Sequence, residues 1–213
     1  MKPIAIYGAG GFGRETACLL REINEVSPTW DFVGFFDDAV PAGTRLRAGE
    51  TLGGMDALNA RAGELSVVFA IASPRVVESL FGKITNPNVA FPNVVAPTAR
   101  VLDPETLKLG RGNLISHHSS ISCDVELGDF NLFNTQIYVG HDTRIGSFNM
   151  FNPCVRVSGN VRVGDRNFFG VASVVLQGVP VGDDVTLGAN SVLFRPAKSA
   201  STYVGNPAVL FKI

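Results

Sequence analysis

Leu127-Gly128-Asp129-Phe130-Asn131-Leu132, then Phe133-Asn134-Thr135-Gln136-Ile137-Tyr138, then Val139-Gly140-His141-Asp142-Thr143-Arg144: three consecutive hexads each open on an apolar residue. The phase runs back through Ile121 and Ile115 to Leu109. It runs forward through Ile145, Phe151, Val157, Val163, Phe169, Val175, Val181, Leu187 and Leu193 without a slip. Val101 and Val95 continue the series after a two-residue insertion near Asp103-Pro104. A fixed repeat of this kind marks a solenoid, in which stacked coils bury the apolar positions in one continuous core. Each hexad supplies a short strand and a tight turn, with glycine recurring at the second position as at Gly128, Gly140 and Gly146. Glycine there reads as the residue that lets a turn reach positive φ.

A longer period lies on top. Asn113, Asn131, Asn149 and Asn167 are eighteen residues apart. Three hexads per coil stack these side chains in a column, where they can hydrogen-bond along the ladder.

The N-terminal part is of another kind. Pro3 to Tyr7 is a short apolar strand, Gly8-Ala9-Gly10-Gly11-Phe12-Gly13 a turn, and Arg14 to Glu25 carries Ala17, Leu19, Leu20 and Ile23 at helical spacing. Asp31–Phe36 and Leu65–Ile71 read as further strands. Ser73-Pro74 opens a helix from Arg75 to about Lys83, a serine cap followed by proline at the first helical position. Strands alternating with helices imply a small parallel sheet. Pro87, Pro92 and Pro97 mark the junction. The expected architecture is an α/β Rossmann-like domain over residues 1–86 and an all-β parallel β-helix over 87–213.

Composition excludes several classes. The chain has 213 residues, 46% hydrophobic and only 17% charged, with a net charge of −1. That leaves ample core, disfavours coiled coils and gives no global attraction to nucleic acid or membrane. No apolar run approaches the ~18 residues of a membrane span. Cys18, Cys123 and Cys154 are scattered and odd in number, so neither a disulfide framework nor a metal site is expected, and the home is expected to be cytoplasmic.

The hexads, a C-terminal Gly205-Asn206-Pro207-Ala208, the loop Tyr7-Gly8-Ala9-Gly10-Gly11-Phe12-Gly13-Arg14-Glu15 and Gly34-Phe35-Phe36-Asp37-Asp38 together resemble one family. They are similar to the bacterial hexapeptide-repeat sugar acetyltransferases with a Rossmann-like N-terminal domain. These include UDP-4-amino-sugar and GDP-perosamine N-acetyltransferases and sialic acid O-acetyltransferases. The resemblance implies a left-handed β-helix and a homotrimer, with acetyl-CoA as acyl donor between neighbouring β-helices. It also implies a nucleotide-sugar substrate at the N-terminal domain of one subunit, with its acceptor group reaching the next.

Acetyl transfer to an amine or hydroxyl needs a base, and histidine suits that role near neutral pH. The chain has His117, His118 and His141. His141 lies in a hexad turn where the family places its catalytic histidine, followed by Asp142 as the orienting acid. Asp124, eighteen residues before Asp142, competes for that place. His117-His118 reads as an exposed pair. The resemblance assigns an oxyanion donor to the Gly159 N–H, and the pantetheine channel to Gly170-Val171 and Gly188-Ala189. Related enzymes often carry a second histidine nine residues after the first. Here Asn149 and Met150 stand there, expected beside the acetyl group.

Gly8, Gly10, Gly11, Phe12 and Gly13 follow a strand and open a helix, so bare backbone and a helix N-terminus favour a phosphate. Asp37, Asp38, Ala72 and Ser73 end the next strands and face the same crevice. The domain is too short for two mononucleotide halves, so a nucleotide-sugar suits it better than NAD. The leading expectation is N-acetylation of a nucleotide-linked amino sugar for surface glycan synthesis. O-acetylation of a sialic-acid-type sugar, and a non-catalytic nucleotide-binding β-helix, are the alternatives.

Overall fold

The structure is a computed structural model that describes residues 1–211. The N-terminal region holds β1 (Lys2–Tyr7), α1 (Gly11–Val26), β2 (Trp30–Phe36), β3 (Arg45–Leu46), β4 (Gly49–Gly53), α2 (Met55–Asn59), β5 (Leu65–Phe69), α3 (Pro74–Lys83) and β6 (Val89–Ala90). They form a sheet in the order β3-β4-β2-β1-β5-β6, parallel except for the β3–β4 hairpin. The sheet extends past the expected boundary after residue 86, because Val89–Ala90 still pairs with β5. The strand order reverses between β2 and β5, which flank β1. That reversal opens a crevice at the carboxyl ends of β1 and β5, where ligands bind in open α/β sheets.

From Val94 onward the chain is a parallel β-helix with three sheets. The first runs from Val94–Val95 through Leu114–Ile115, Leu132–Phe133, Met150–Phe151 and Phe168–Phe169 to Thr186–Leu187 and Thr202–Val204. The pairing is in register at eighteen, as Ile115 with Phe133 and Phe133 with Phe151. Ile121 pairs with Val101, twenty residues earlier, so the two-residue insertion at Asp103-Pro104 is a bulge in one coil. Every hexad-opening residue from Ile115 to Leu193 is buried, and Leu109 packs against them half-buried. Phe133, Phe151 and Phe169 stack nearly parallel, with ring centroids 4.7 and 4.6 Å apart.

The glycines at the second hexad position are not there for positive φ, contrary to the sequence expectation. The left-handed residues instead lie two positions further on and are mostly non-glycines, among them His118, Asp124, Phe130, Gln136 and Asp142, with Gly112 and Gly178 at the same position in two hexads. Glycine is required by close approach: a Cβ on Gly164 would lie 2.1 Å from Asp183 Oδ1 of the next coil. Those oxygens form a ladder. Ser147 N donates to Asp165 Oδ1, Asp165 N to Asp183 Oδ1 and Asp183 N to Ser199 Oγ.

The asparagine column is present and fully buried. Its links run mainly from side-chain oxygen to the next backbone amide: Asn131 N to Asn113 Oδ1, Asn149 N to Asn131 Oδ1 and Asn167 N to Asn149 Oδ1, at 2.9, 3.0 and 2.9 Å. Asn93 caps it, accepting from Asn113 N at 2.9 Å. The insertion shifts Asn93 out of the eighteen-residue phase, which hid it in the sequence.

The N-terminal domain sits on the first β-helix sheet. Leu114, Leu132 and Met150 pack with Ile4, Ile6, Leu19 and Leu20 in one buried cluster. Phe81, Phe91, Phe130 and Phe148 form an aromatic seam beside it, with Phe81 4.6 Å from Phe130. Arg166 closes the seam, paired with Asp184 through two hydrogen bonds of 3.1 Å and with Glu78 of α3 at 3.2 Å.

Candidate active site

Two places in the fold gather most of the candidate residues. The first is a corner of the β-helix. His141 follows the strand Tyr138–Val139, and the stacked turns above and below put Cys123 and Gly159 in line with it: Asp142 N donates to Cys123 O, and Asn160 N to His141 O. His141 is half-exposed, and its Nδ1 lies 2.7 Å from Asp142 Oδ2. This contact fixes the ring and leaves Nε2 for a substrate proton. Asp142 takes the partner role and Asp124 does not: Asp124 lies one coil below, its amide donating to Thr106 Oγ1. The imidazole rests on Gly159, where a Cβ would fall 2.7 Å from Nε2. The Gly159 N–H donates to no protein acceptor among the described residues.

The second is the crevice over β1 and β5. Gly8 has φ +115°, and a Cβ on it would strike Ala70 O at 2.7 Å. Gly13 lets α1 cross directly over the Gly8 carbonyl, and Gly10 has open space around it. Gly10 and Gly11 are exposed, so their backbone is available to an anion at the N-terminus of α1. Asp37 turns inward: its carboxylate accepts from Ala9 N and Ala39 N, both at 2.8 Å, and so shapes the glycine loop. Asp38 accepts from Tyr7 Oη and Met55 N at 2.8 Å. Burial, and then the Asp38 hydrogen bond, raise the Tyr7 phenol above the ordinary tyrosine range. Ala72 is exposed, and Ser73 caps α3 with no side-chain hydrogen bond to the helix.

Residues 3–84 match the family described as PglD N-terminal domain, and residues 160–195 match the hexapeptide repeat of succinyl-transferase. The chain joins a PglD-type N-terminal domain to a hexapeptide-repeat β-helix, as sugar acetyltransferases do. Similar solved structures include WeeI from Acinetobacter baumannii AYE, 28% identical with a TM-score of 0.89, covering 99% of this chain and 100% of that one. Another is PerB from Caulobacter crescentus in complex with CoA and GDP-perosamine, 27% identical with a TM-score of 0.85, covering 100% and 98%. The acetyltransferase domain of PglB from Neisseria gonorrhoeae FA1090 shares the fold, with 24% identity, a TM-score of 0.90 and coverage of 99% and 100%. No curated protein sequence shows a significant match.

The remaining expected residues separate into two groups. Val171 and Ala189 are exposed on another corner. Gly170 beside them is a packing glycine, its Cβ position 2.5 Å from Ala189 N, and Gly188 is crowded by Val204 Cγ1 at 2.9 Å. Asn149 and Met150 do not join the His141 corner. Asn149 is 1% exposed within the asparagine column, and Met150 is 3% exposed against the N-terminal domain. In the single chain neither offers surface to a ligand, because the first sheet faces the domain interface rather than the corner. Two residues were missed. Tyr7 anchors Asp38, and the Arg14 guanidinium lies 3.9 Å from the Cβ position of Gly11, a cation beside the glycine loop. The motif contained both. Nothing in the spacing distinguished them from strand and helix surface residues.

Proposed function

We propose that the protein transfers an acetyl group from acetyl-CoA to the amino group of a nucleotide-linked amino sugar used in surface glycan synthesis. The observation that carries this reading is the His141–Asp142 pair, set at an exposed corner over a bare glycine in a chain that also holds a phosphate-suited glycine loop. His141 Nε2 takes the proton from the acceptor nitrogen as it attacks the thioester carbonyl, and Asp142 balances the imidazolium that forms; collapse of the tetrahedral intermediate breaks the C–S bond, and the departing CoA sulfur takes that proton from His141 and leaves as the thiol. The Gly159 N–H, without a protein acceptor, suits the developing oxyanion. Acetyl-CoA supplies the activated acyl group, and Val171 and Ala189 are the exposed residues suited to its pantetheine arm.

Gly8, Gly10, Gly11 and Gly13 hold the diphosphate, with Arg14 as counter-charge. Ala72 and Ser73 form the opposite lip. Asp37 and Asp38 act at one remove, by holding the loop and its flank. The relatives bound to acetyl-CoA, or to CoA and GDP-perosamine, support this assignment. A homotrimer places the His141 corner of one subunit beside a neighbour, as acyl transfer between stacked β-helices needs. The test is thiol release from acetyl-CoA with nucleotide-amino-sugars, with mass spectrometry of the product. One acetyl group gained on the amino sugar, and lost in H141A, supports the proposal. Full transfer by H141A overturns it.

A further inference from the structure

Four charged side chains fasten α3 to the β-helix. Arg75 Nη2 lies 2.9 Å from Asp184 Oδ1. Asp184 also accepts from Arg166 Nε and Nη2, both at 3.1 Å, and Arg166 Nη1 donates to Glu78 Oε1 at 3.2 Å. Arg166 and Asp184 are eighteen residues apart, both with left-handed backbone, so they stack on one corner of the β-helix and meet α3 through Arg75 and Glu78. The side chains of Asp184 and Arg166 are only 17% and 23% exposed, whereas that of Arg75 is 72% exposed. The β-helix pair is therefore the shielded anchor and Arg75 the exposed arm. Apolar packing does not fill the seat of this helix. A void of about 10 Å³ is lined by Ile71, Pro74 and Val77 on one side and Phe148 and Met150 on the other.

We infer that Asp184 is a positioning residue for the nucleotide crevice, setting the Ala72-Ser73 lip through its grip on Arg75 and Arg166. The inference rests on the nucleotide reading of that crevice. The lip is short and has few holds of its own. Ala70 N is still tied to the sheet through Tyr7 O, and Arg75 is already in the clamp, so only residues 71–74 lie between. Ser73 makes no side-chain hydrogen bond to the helix it opens. A shift of α3 across its unfilled seat therefore carries the lip with it. The other side of the clamp is fixed: Thr186–Leu187 pairs with Phe168–Phe169, and Asn190 N donates to Val171 O. Cutting the clamp moves α3 and leaves the Val171 and Ala189 corner in place. A carboxylate shielded between two guanidiniums is screened less than a surface pair, so it has the strength to hold the helix.

Equilibrium binding of GDP, UDP, dTDP and acetyl-CoA, beside thermal melts, tests this. D184N is expected to bind the nucleotide that the wild type accepts about tenfold more weakly, through lost preorganisation of the lip, and to bind acetyl-CoA as the wild type does. R75Q alters only the exposed arm and is expected to weaken the nucleotide about threefold. R75Q/D184N should be no weaker than D184N, because both changes cut one network. Unchanged nucleotide affinity in D184N, or an equal loss for nucleotide and acetyl-CoA, overturns the inference. If D184N does not fold, R75Q and E78Q decide, and wild-type nucleotide affinity in both overturns it. Failure of the wild type to bind any of the three nucleotides overturns the nucleotide reading beneath, a separate result.

Discussion

The imidazole of His141 lies directly on Gly159, so close that a Cβ there would come within 2.7 Å of Nε2. Gly159 has no positive φ, so its backbone accepts alanine and only the ring must move. G159A is expected to lower kcat about a hundredfold, the scale of a 1 Å misplacement of a catalytic group, while stability changes by less than about 1 kcal/mol. Steady-state kinetics beside a thermal melt measures both. Unimpaired turnover would show that the ring position is not used.

Asp142 meets His141 within a single turn, at 2.7 Å. H141A is expected to reduce kcat/KM by about 10²–10⁴. D142N keeps an acceptor for Nδ1–H but loses the charge, whereas D142A loses both, so D142A should be the slower of the two. The reverse order would remove the orienting role from Asp142.

Asn149 carries two rungs of the buried column, donating from Nδ2 to Asn131 Oδ1 at 2.9 Å and accepting from Asn167 N. N149A leaves the Asn167 amide without its acceptor, at a cost of about 1–3 kcal/mol. Denaturant unfolding should show that loss, while turnover per folded molecule stays near wild type. A collapse of turnover at unchanged stability would instead put Asn149 in the chemistry.

Tyr7 donates to Asp38, and burial with that bond raises its phenol pKa. The folded state therefore keeps a proton that the unfolded chain releases near pH 10. The stability contributed is complete below about pH 10 and is lost as pH climbs toward the raised folded value. Y7F is expected to be less stable by about 1–3 kcal/mol at pH 8, and the gap to wild type should narrow above pH 10. Melting temperatures of both proteins across pH 8–11 check this. A constant gap would mean the phenol titrates alike in both states.

The β-helix was legible because its information is local and repeated. A residue every six places one side chain inward, and eighteen residues return the chain to the same face, so Phe133, Phe151 and Phe169 stack where the period puts them. The aspartate-serine ladder obeyed the same eighteen-residue spacing through Asp129, Ser147, Asp165 and Asp183. It stayed hidden because two residue types are mixed along it. The glycine loop was legible as a strand-turn-helix, but the partners of Asp37 and Asp38 were not, since they lie on Ala9, Tyr7 and Met55, remote in the chain.

By itself the sequence determined the coil, its phase, the crevice-forming N-terminal sheet and the adjacency of His141 to Asp142. Only the tertiary structure decided which face of the β-helix the N-terminal domain covers. That choice buries Met150 and Asn149 away from the His141 corner, opens a groove between Glu15 and His117, and builds the Phe81–Phe130 seam. The physical reason is the range of the interactions. A repeat specifies contacts between each residue and its copy one coil away, whereas domain docking depends on complementary surfaces from segments with no shared period.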